Sequence, residues 1–237
     1  MARADLEPEI ARLVDEVAEM GPAAVAAFDA DGTVWAGDIG EELLLDLAGN
    51  GRLVHPPEGS AFTIYEELFA QDPPRAFCFC IEAMRAVAVA DVERWSDDLF
   101  TSRFAHRVFP GVSWALQRLR DARVSVYLVS ASGAVTVRRA AARLGLDPAL
   151  VLAVEGKIVD GRFTGEVLPP VTTGPGKVEA IKPRLGGRPL ELAFGNSLFD
   201  RDMLALSRRA VMVAPRNTGG PAVDLARASC WPIHRVG

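Results

Sequence analysis

Three times along this chain a short, mostly apolar run stops at a polar residue: Ala23 to Phe28 at Asp29, Val124 to Val129 at Ser130, and Leu190 to Phe194 just before Gly195-Asn196. Runs of this length are too short for typical helices. The first is ambiguous by periodicity alone, but Asp29-Ala30-Asp31-Gly32 behind it argues for a strand that ends in a loop. Helical patterns separate these runs, and strands alternating with helices imply a parallel, doubly wound α/β sheet. In such sheets ligands bind beyond the carboxyl ends of the strands, so the polar residues at those ends are the candidate site.

The remaining pattern fills in that frame. Leu6, Ile10, Leu13, Val14, Val17 and Met20 recur at helical spacing until Gly21-Pro22, which predicts an amphipathic first helix. From about Ile39 to Arg107 the reading is helical: Glu41 to Ala48, Phe62 to Phe69, Arg75 to Val87 and Val92 to Phe104, broken at Gly49-Asn50-Gly51 and Pro73-Pro74. After Pro110-Gly111 come a helix at Val112 to Ala122, the strand at Val124, a helix at Ala134 to Leu144 and a hairpin around Asp160-Gly161. A helix from Lys177, the strand at Leu190, a helix at Arg201 to Ser207 and a strand at Ala210 to Val213 complete the series. The domain reading is therefore an α/β core of residues 1–37 and 108–237, with residues 38–107 as a helical insertion.

Bulk properties narrow the function classes. At 237 residues and 49% hydrophobic content the chain supports a buried core. Its 26 Lys and Arg against 31 Asp and Glu leave a formal charge of -5, which provides no attraction to nucleic acid or an anionic membrane. Cys78, Cys80 and Cys230 are too few for a disulfide framework and lack the spacing of a zinc site. His55, His106 and His234 are scattered, without ligand spacing. No apolar run approaches the ~20 residues of a membrane span, and the N-terminal residues carry acids throughout. These features predict a cytoplasmic protein without a nucleic-acid or membrane partner; the expectation for its assembly is a monomer or homodimer.

Taken singly, each strand-end residue has a bland explanation. Asp29 and Asp31 suit a turn or helix cap, Ser130 a cap for the helix after it, Asn196-Ser197 a loop, and Lys177 a solvated surface charge. Together, in chain order, the segments FDADGT, VSAS, GK and GNSLFDRD resemble the four-motif signature of the haloacid dehalogenase superfamily, over Ala23 to about Pro215. The resemblance implies a Rossmann-like core and a phosphatase that works through an aspartyl-phosphate. Asp29 would be the nucleophile and Asp31 the acid and then the base. Ser130, with Ala131 beside it, would contact the phosphoryl group, Lys177 would offset its charge, and Gly32 would let backbone N–H groups approach it. Two carboxylates facing a phosphate require a divalent cation, and magnesium suits an all-oxygen site. The implied ligands are Asp29, the Asp31 carbonyl and Asn196, an amide where most relatives carry Asp. Asp200 would compensate through bound water or by orienting Lys177.

The helical block and the Lys157 to Val167 segment resemble the phosphoserine-phosphatase-like branch. There an acidic residue shortly after the first motif meets the substrate amine, and Asp38 falls at that place. The branch also uses a cap arginine for the substrate carboxylate; Cys80 occupies the matching position, with Arg85 the nearest basic residue and Arg75 another. The substrate class is thus a small phosphorylated metabolite: phosphoserine or, needing no arginine, phosphocholine or phosphoethanolamine. For the last two, Trp35 with Phe62, Tyr65 or Phe69 offers cation-π faces.

The competing readings are a phosphomutase on the same fold and a catalytically weakened binding or regulatory relative, the latter motivated by Asn196. A dehalogenase has no use for the acid Asp31. A P-loop would need Gly at Val171 and Ser or Thr at Val178. A serine hydrolase would need a GxSxG segment that the chain lacks.

Overall fold

A computed structural model describes residues 3–237. In chain order it has α1 (Pro8–Glu19), β1 (Val25–Phe28), α2 (Ile39–Gly49), α3 (Ala61–Gln71), α4 (Pro73–Glu82), α5 (Val89–Leu99) and α6 (Pro110–Asp121). There follow β2 (Ser125–Gly133), α7 (Ala134–Arg143), β3 (Val151–Val159), β4 (Arg162–Leu168), α8 (Pro175–Ile181), β5 (Leu192–Gly195), α9 (Arg201–Leu206), β6 (Ala210–Pro215), α10 (Pro221–Ala228) and β7 (Ile233–Val236). The strands form a seven-stranded sheet in the order β4-β3-β2-β1-β5-β6-β7. The expected doubly wound α/β architecture is present, with β1 parallel to β2 and β5, and β5, β6 and β7 parallel in turn.

The chain divides into two compact units, residues 1–37, 106–129 and 174–237 in the first and residues 38–105 and 130–173 in the second. In the first unit β1 is central, and all four of its residues are wholly buried, as expected of a parallel strand covered on both faces. Its register pairs Phe28 with Phe194 of β5, and the two rings stack with centroids 4.6 Å apart. That pairing brings the ends of β1 and β5 together. The apolar stripe of α1, Ile10, Val14, Val17 and Ala18, is buried, and α1 packs on α6.

In the second unit α2 is capped by Asp38, whose Oδ1 accepts from the Glu41 N–H at 2.9 Å, and α3 by Ser60 through the Thr63 N–H at 3.3 Å. Asp97 of α5 receives Arg139 and Arg143 of α7. The hairpin joining β3 to β4 turns at Asp160 and Gly161, both at positive φ, the geometry of a type I′ turn.

Three expectations need correction. The helix read as Arg75 to Val87 ends at Glu82, because Ala86 adopts φ 65° and gives its N–H to the Phe163 carbonyl. Lys177 is the third residue of α8, which opens at Pro175. Beyond Val213 the chain adds α10 and β7, which extend the parallel sheet by one strand.

Candidate active site

Asp29 follows β1 directly. Its N–H donates to the Phe194 carbonyl at 2.9 Å, which ties the first residue after β1 to the end of β5. Its side chain is held from two sides: Thr33 Oγ1 donates to Oδ2 at 2.7 Å and the Lys177 ammonium to Oδ1 at 2.6 Å. These two donors fix the plane of a carboxylate that is only 5% exposed. Thr33 is placed by a tight turn in which the N–H groups of Thr33 and Val34 both donate to the Ala30 carbonyl.

Lys177 is buried with all three ammonium protons engaged, by Asp29 Oδ1, Asp200 Oδ1 at 2.6 Å and the Val129 carbonyl at 2.8 Å. Burial alone would lower its pKa, but the carboxylates of Asp200 and Asp29 outweigh that and raise it, so the ammonium stays charged. Asp29 moves the other way from most ion-paired acids: burial first, and then the charge of Asp200, push it up to about 7 against the opposing pull of Lys177 and Thr33. One buried cation thus serves two buried carboxylates.

Asp200 is engaged on both oxygens. Its Oδ2 accepts from the N–H groups of Asn196 and Ser197, each at 3.0 Å, and from Ser197 Oγ at 2.9 Å. This capping box shapes the turn after β5. Gly195 permits it, since a Cβ there would lie 2.5 Å from that of Asp200. Of the two roles expected for Asp200, orienting Lys177 is the one with direct contacts.

Gly32 adopts φ 73°, and a Cβ there would collide with the Asn196 amide, so the turn after β1 and the turn after β5 meet at a point where only glycine fits. The Asn196 side-chain amide therefore lies directly against Gly32. Asp31 is half-buried, and its Oδ1 accepts from the indole N–H of Trp35 at 2.8 Å.

The residues expected to hold magnesium fit it chemically. The Asp29 carboxylate, the Asp31 carbonyl and the Asn196 amide are hard oxygen donors on two turns that meet at Gly32. The raised pKa of Asp29 marks a carboxylate that Lys177, shared with Asp200, leaves under-compensated. Among the described residues there is no cluster of three or more His, Cys, Asp or Glu suited to a metal.

The other candidates belong to the second unit. Ser130 is buried on β2; its Oγ accepts from the Ser132 N–H at 3.0 Å and its carbonyl from Thr172 Oγ1 at 2.5 Å. Ala131 is the half-buried residue beside it. Asp38 caps α2 and also accepts from Ser132 Oγ at 3.5 Å. Arg85 is exposed, with its Cβ beneath Gly165 of the hairpin. Arg75 is held bidentately by Glu82, and burial pushes the Cys80 thiol well above its usual range. Asp38, Glu41, Phe62, Tyr65, Glu66, Phe69 and Ala70 line a cavity of about 260 Å³. Trp35 takes no part in it: it lies in the first unit, is wholly buried and spends its N–H on Asp31, so it offers no cation-π face.

Two features escaped the sequence reading. Thr33 stands inside the FDADGT segment, where its side chain suggests only turn formation. Glu41 and Glu66 sit on helices where solvated charge is the default, and the only signal was their helical spacing relative to Asp38 and the aromatic residues.

Residues 26–205 match the family model described as haloacid dehalogenase-like hydrolase. Among curated proteins, phosphoserine phosphatase SerB1 of Mycobacterium tuberculosis is 29% identical over 150 residues, 62% of this chain and 47% of that protein. The chain spans about half the length of the curated relatives it matches. Among solved structures, a Bordetella pertussis Tohama I protein of unknown function superposes with a TM-score of 0.77 at 19% identity, covering 89% of this chain and 97% of that one. A phosphoserine phosphatase in its apo form gives a TM-score of 0.55 at 18% identity, covering 80% and 86%. The structural likenesses speak to fold alone; the family model spans most of the chain, which is a member of the haloacid dehalogenase-like hydrolase family.

Proposed function

We propose that this protein is a magnesium-dependent phosphatase for small phosphomonoesters that works through an aspartyl-phosphate on Asp29. The observation that carries the reading is the pairing of a buried carboxylate at a strand end with a buried, fully engaged lysine: Asp29 and Lys177, 2.6 Å apart. A phosphate ester hydrolyses extremely slowly in water, so a catalyst must position an attacking oxygen, spread charge and protonate the leaving alcohol. Asp29, its plane fixed by Thr33 and Lys177, attacks phosphorus; the new P–O bond forms as the bond to the leaving alcohol breaks. Asp31 gives that alcohol a proton. It then takes one from the water that attacks the aspartyl-phosphate, which frees inorganic phosphate and restores Asp29.

Lys177 offsets the charge that accumulates around Asp29, and Asp200 orients Lys177. Ser130, together with the backbone N–H of Ala131, donates to phosphoryl oxygens in this scheme, while the N–H groups of Gly32, Thr33 and Val34 are spent within the turn after β1. Asp29, the Asp31 carbonyl and Asn196 would hold magnesium, which would supply Lewis-acid neutralisation of the phosphoryl charge. The intact set of Asp29, Asp31, Lys177 and Asp200 favours an enzyme over a decayed binding relative.

For the substrate, the reading is a phosphorylated amine or amino acid. The printed name of the Mycobacterium tuberculosis relative, a phosphoserine phosphatase, supports this class. So does the cavity of the second unit, in which carboxylates of Asp38, Glu41 and Glu66 stand among the rings of Phe62, Tyr65 and Phe69, the chemistry that suits an organic ammonium group. Arg75, already paired with Glu82, is a poor reader of a substrate carboxylate, which favours phosphocholine or phosphoethanolamine over phosphoserine. Among the described residues no helix is long and apolar enough to cross a membrane, and Cys78, Cys80 and Cys230 are free thiols, which supports the cytoplasm as the working compartment. The deciding experiment is release of inorganic phosphate from p-nitrophenyl phosphate with magnesium, absent without the metal and absent in Asp29→Asn. Undiminished hydrolysis by that variant, or none by the natural protein over a broad range of metal and pH, would remove the mechanism.

A further inference from the structure

Among the described residues Trp35 is the largest wholly buried side chain, and its indole ends on the carboxylate that the phosphatase reading makes the proton donor. The backbone that carries it is clamped on two sides. The Trp35 carbonyl accepts from the Gly32 N–H at 2.8 Å, the Ala36 N–H donates to Arg107 at 3.0 Å, and the Phe109 N–H donates to Val34 at 2.9 Å. Trp35 and Val108 form an antiparallel bridge. All of these residues lie in the first unit. The ring is therefore a fixed object, and the 2.8 Å bond from its Nε1 to Asp31 Oδ1 is made by a group with no freedom to follow the carboxylate.

We propose that Trp35 is the positioning residue for Asp31: its indole N–H commits Oδ1 as an acceptor throughout, so the proton exchanged with the leaving group is carried on Oδ2. The reason lies in hydrogen-bond inventory. An indole N–H only donates, so the oxygen facing it cannot itself carry a hydroxyl proton along the same line. A protonated carboxyl retains one such acceptor oxygen and an ionised one has two. Oδ1 thus accepts from Trp35 both before and after proton transfer, and the hydrogen bond need not break during turnover. In the step itself, the Oδ2–H bond of Asp31 breaks, an O–H bond forms on the departing alcohol, and the carboxylate left behind keeps its Trp35 donor. Phe at this position would fill much of the same space and remove the indole donor from Oδ1.

This rests on the phosphatase reading with Asp31 as acid, and the test separates the two. Values of kcat/KM, which report events up to departure of the leaving group, are measured for p-nitrophenyl phosphate and for phenyl phosphate, whose phenoxide is the poorer leaving group. General acid help is worth ~10² to 10⁴ in rate and matters most for the poorer leaving group. Trp35→Phe is expected to lower kcat/KM for phenyl phosphate about tenfold more than for p-nitrophenyl phosphate, in the direction of Asp31→Asn but less severely. A purely structural role would lower both substrates by the same factor. That outcome, or no change with either, overturns the proposal. If Asp31→Asn itself fails to separate the two substrates, the acid assignment is what has failed. Should Trp35→Phe fold poorly, replacing Trp35 with benzothienylalanine, which exchanges the N–H for sulfur at nearly constant shape, gives the same discrimination.

Discussion

The ammonium of Lys177 and the carboxylate of Asp200 are 2.6 Å apart, with side chains 2% and 1% exposed. Such a pair must remain whole, because removing one member leaves a buried charge without compensation at a cost of roughly 3–5 kcal/mol. Lys177→Met is the sharper case, since it strands Asp29 and Asp200 together. The Asp29 carboxyl, already raised by burial and by the charge of Asp200, would lose the cation that opposes that rise, so the folded state keeps a proton that the unfolded state has released. Stability of the variant should accordingly be lowest near neutral pH and recover as pH falls toward the unfolded carboxylate range. Urea denaturation of the variant and the natural protein at about pH 5 and about pH 8 checks this, with the larger deficit expected at the higher pH. Equal deficits at both would mean that the loss is one of packing.

Asp29 sets a second pH dependence. Its pKa is pushed up to about 7 by burial and by Asp200, so the metal-free folded chain keeps a proton that the unfolded chain releases near the ordinary aspartate value of 3.8. The sign follows directly: metal-free stability declines as pH rises between those two values, by up to ~1.4 kcal/mol per pH unit for one proton. A cation bound by Asp29 must displace that proton. Magnesium binding at about pH 6 should release close to one proton and at about pH 8 almost none, with affinity falling up to about tenfold per unit below neutrality. Calorimetric titration in buffers of different ionisation enthalpy counts the protons. No release at the lower pH would remove Asp29 from the ligand set.

The residues at strand ends were legible in the sequence because a strand needs a short apolar run and a turn needs glycine and small polar residues. Asp29, Asp31, Gly32 and Asn196 were therefore marked by what precedes them. Lys177 lies 148 positions from Asp29, and no local pattern links the two; only the order of the four segments does. Side-chain hydrogen bonds were the least legible. Thr33 looked like a turn former and Trp35 like a cation-π face for a substrate amine, since a sequence does not reveal that a ring is wholly buried with its N–H aimed at an acid. At the carboxyl end Gly219-Gly220-Pro221 reads as a loop, although proline at a first helical position also starts helices, as it does in α10.

Gly32 and Asn196 test the magnesium assignment from the metal's side. Gly32→Ala adds a side chain at φ 73° that collides with the Asn196 amide. The strain alone costs on the order of 1–2 kcal/mol, and the displaced amide should weaken magnesium binding at least about tenfold. Asn196→Asp keeps the shape and adds a formal charge, so magnesium should bind roughly tenfold more tightly. Titration of both variants decides the matter. Unchanged affinity in Asn196→Asp would show that position 196 does not touch the metal.

The cavity of the second unit makes the substrate class testable without disturbing Asp29. Burial, and then the charges of Glu66 and Glu42, push the Glu41 carboxyl above its usual range, so this wall is short of positive charge and an organic ammonium would relieve it. Asp38 must be changed with care. It caps α2 through the Glu41 N–H, and Asp38→Ala would cost about 1 kcal/mol of stability along with the charge, whereas Asn caps helices equally well. Asp38→Asn and the pair Glu41→Gln with Glu66→Gln therefore remove charge while keeping shape. In a panel of phosphocholine, phosphoethanolamine, phosphoserine and a sugar phosphate, these variants should raise KM for the phosphoamines by about tenfold, with kcat and the sugar phosphate little affected. A uniform loss across the panel would mean that the carboxylates serve the fold of the second unit, and the amine reading would fall while the phosphatase reading stood.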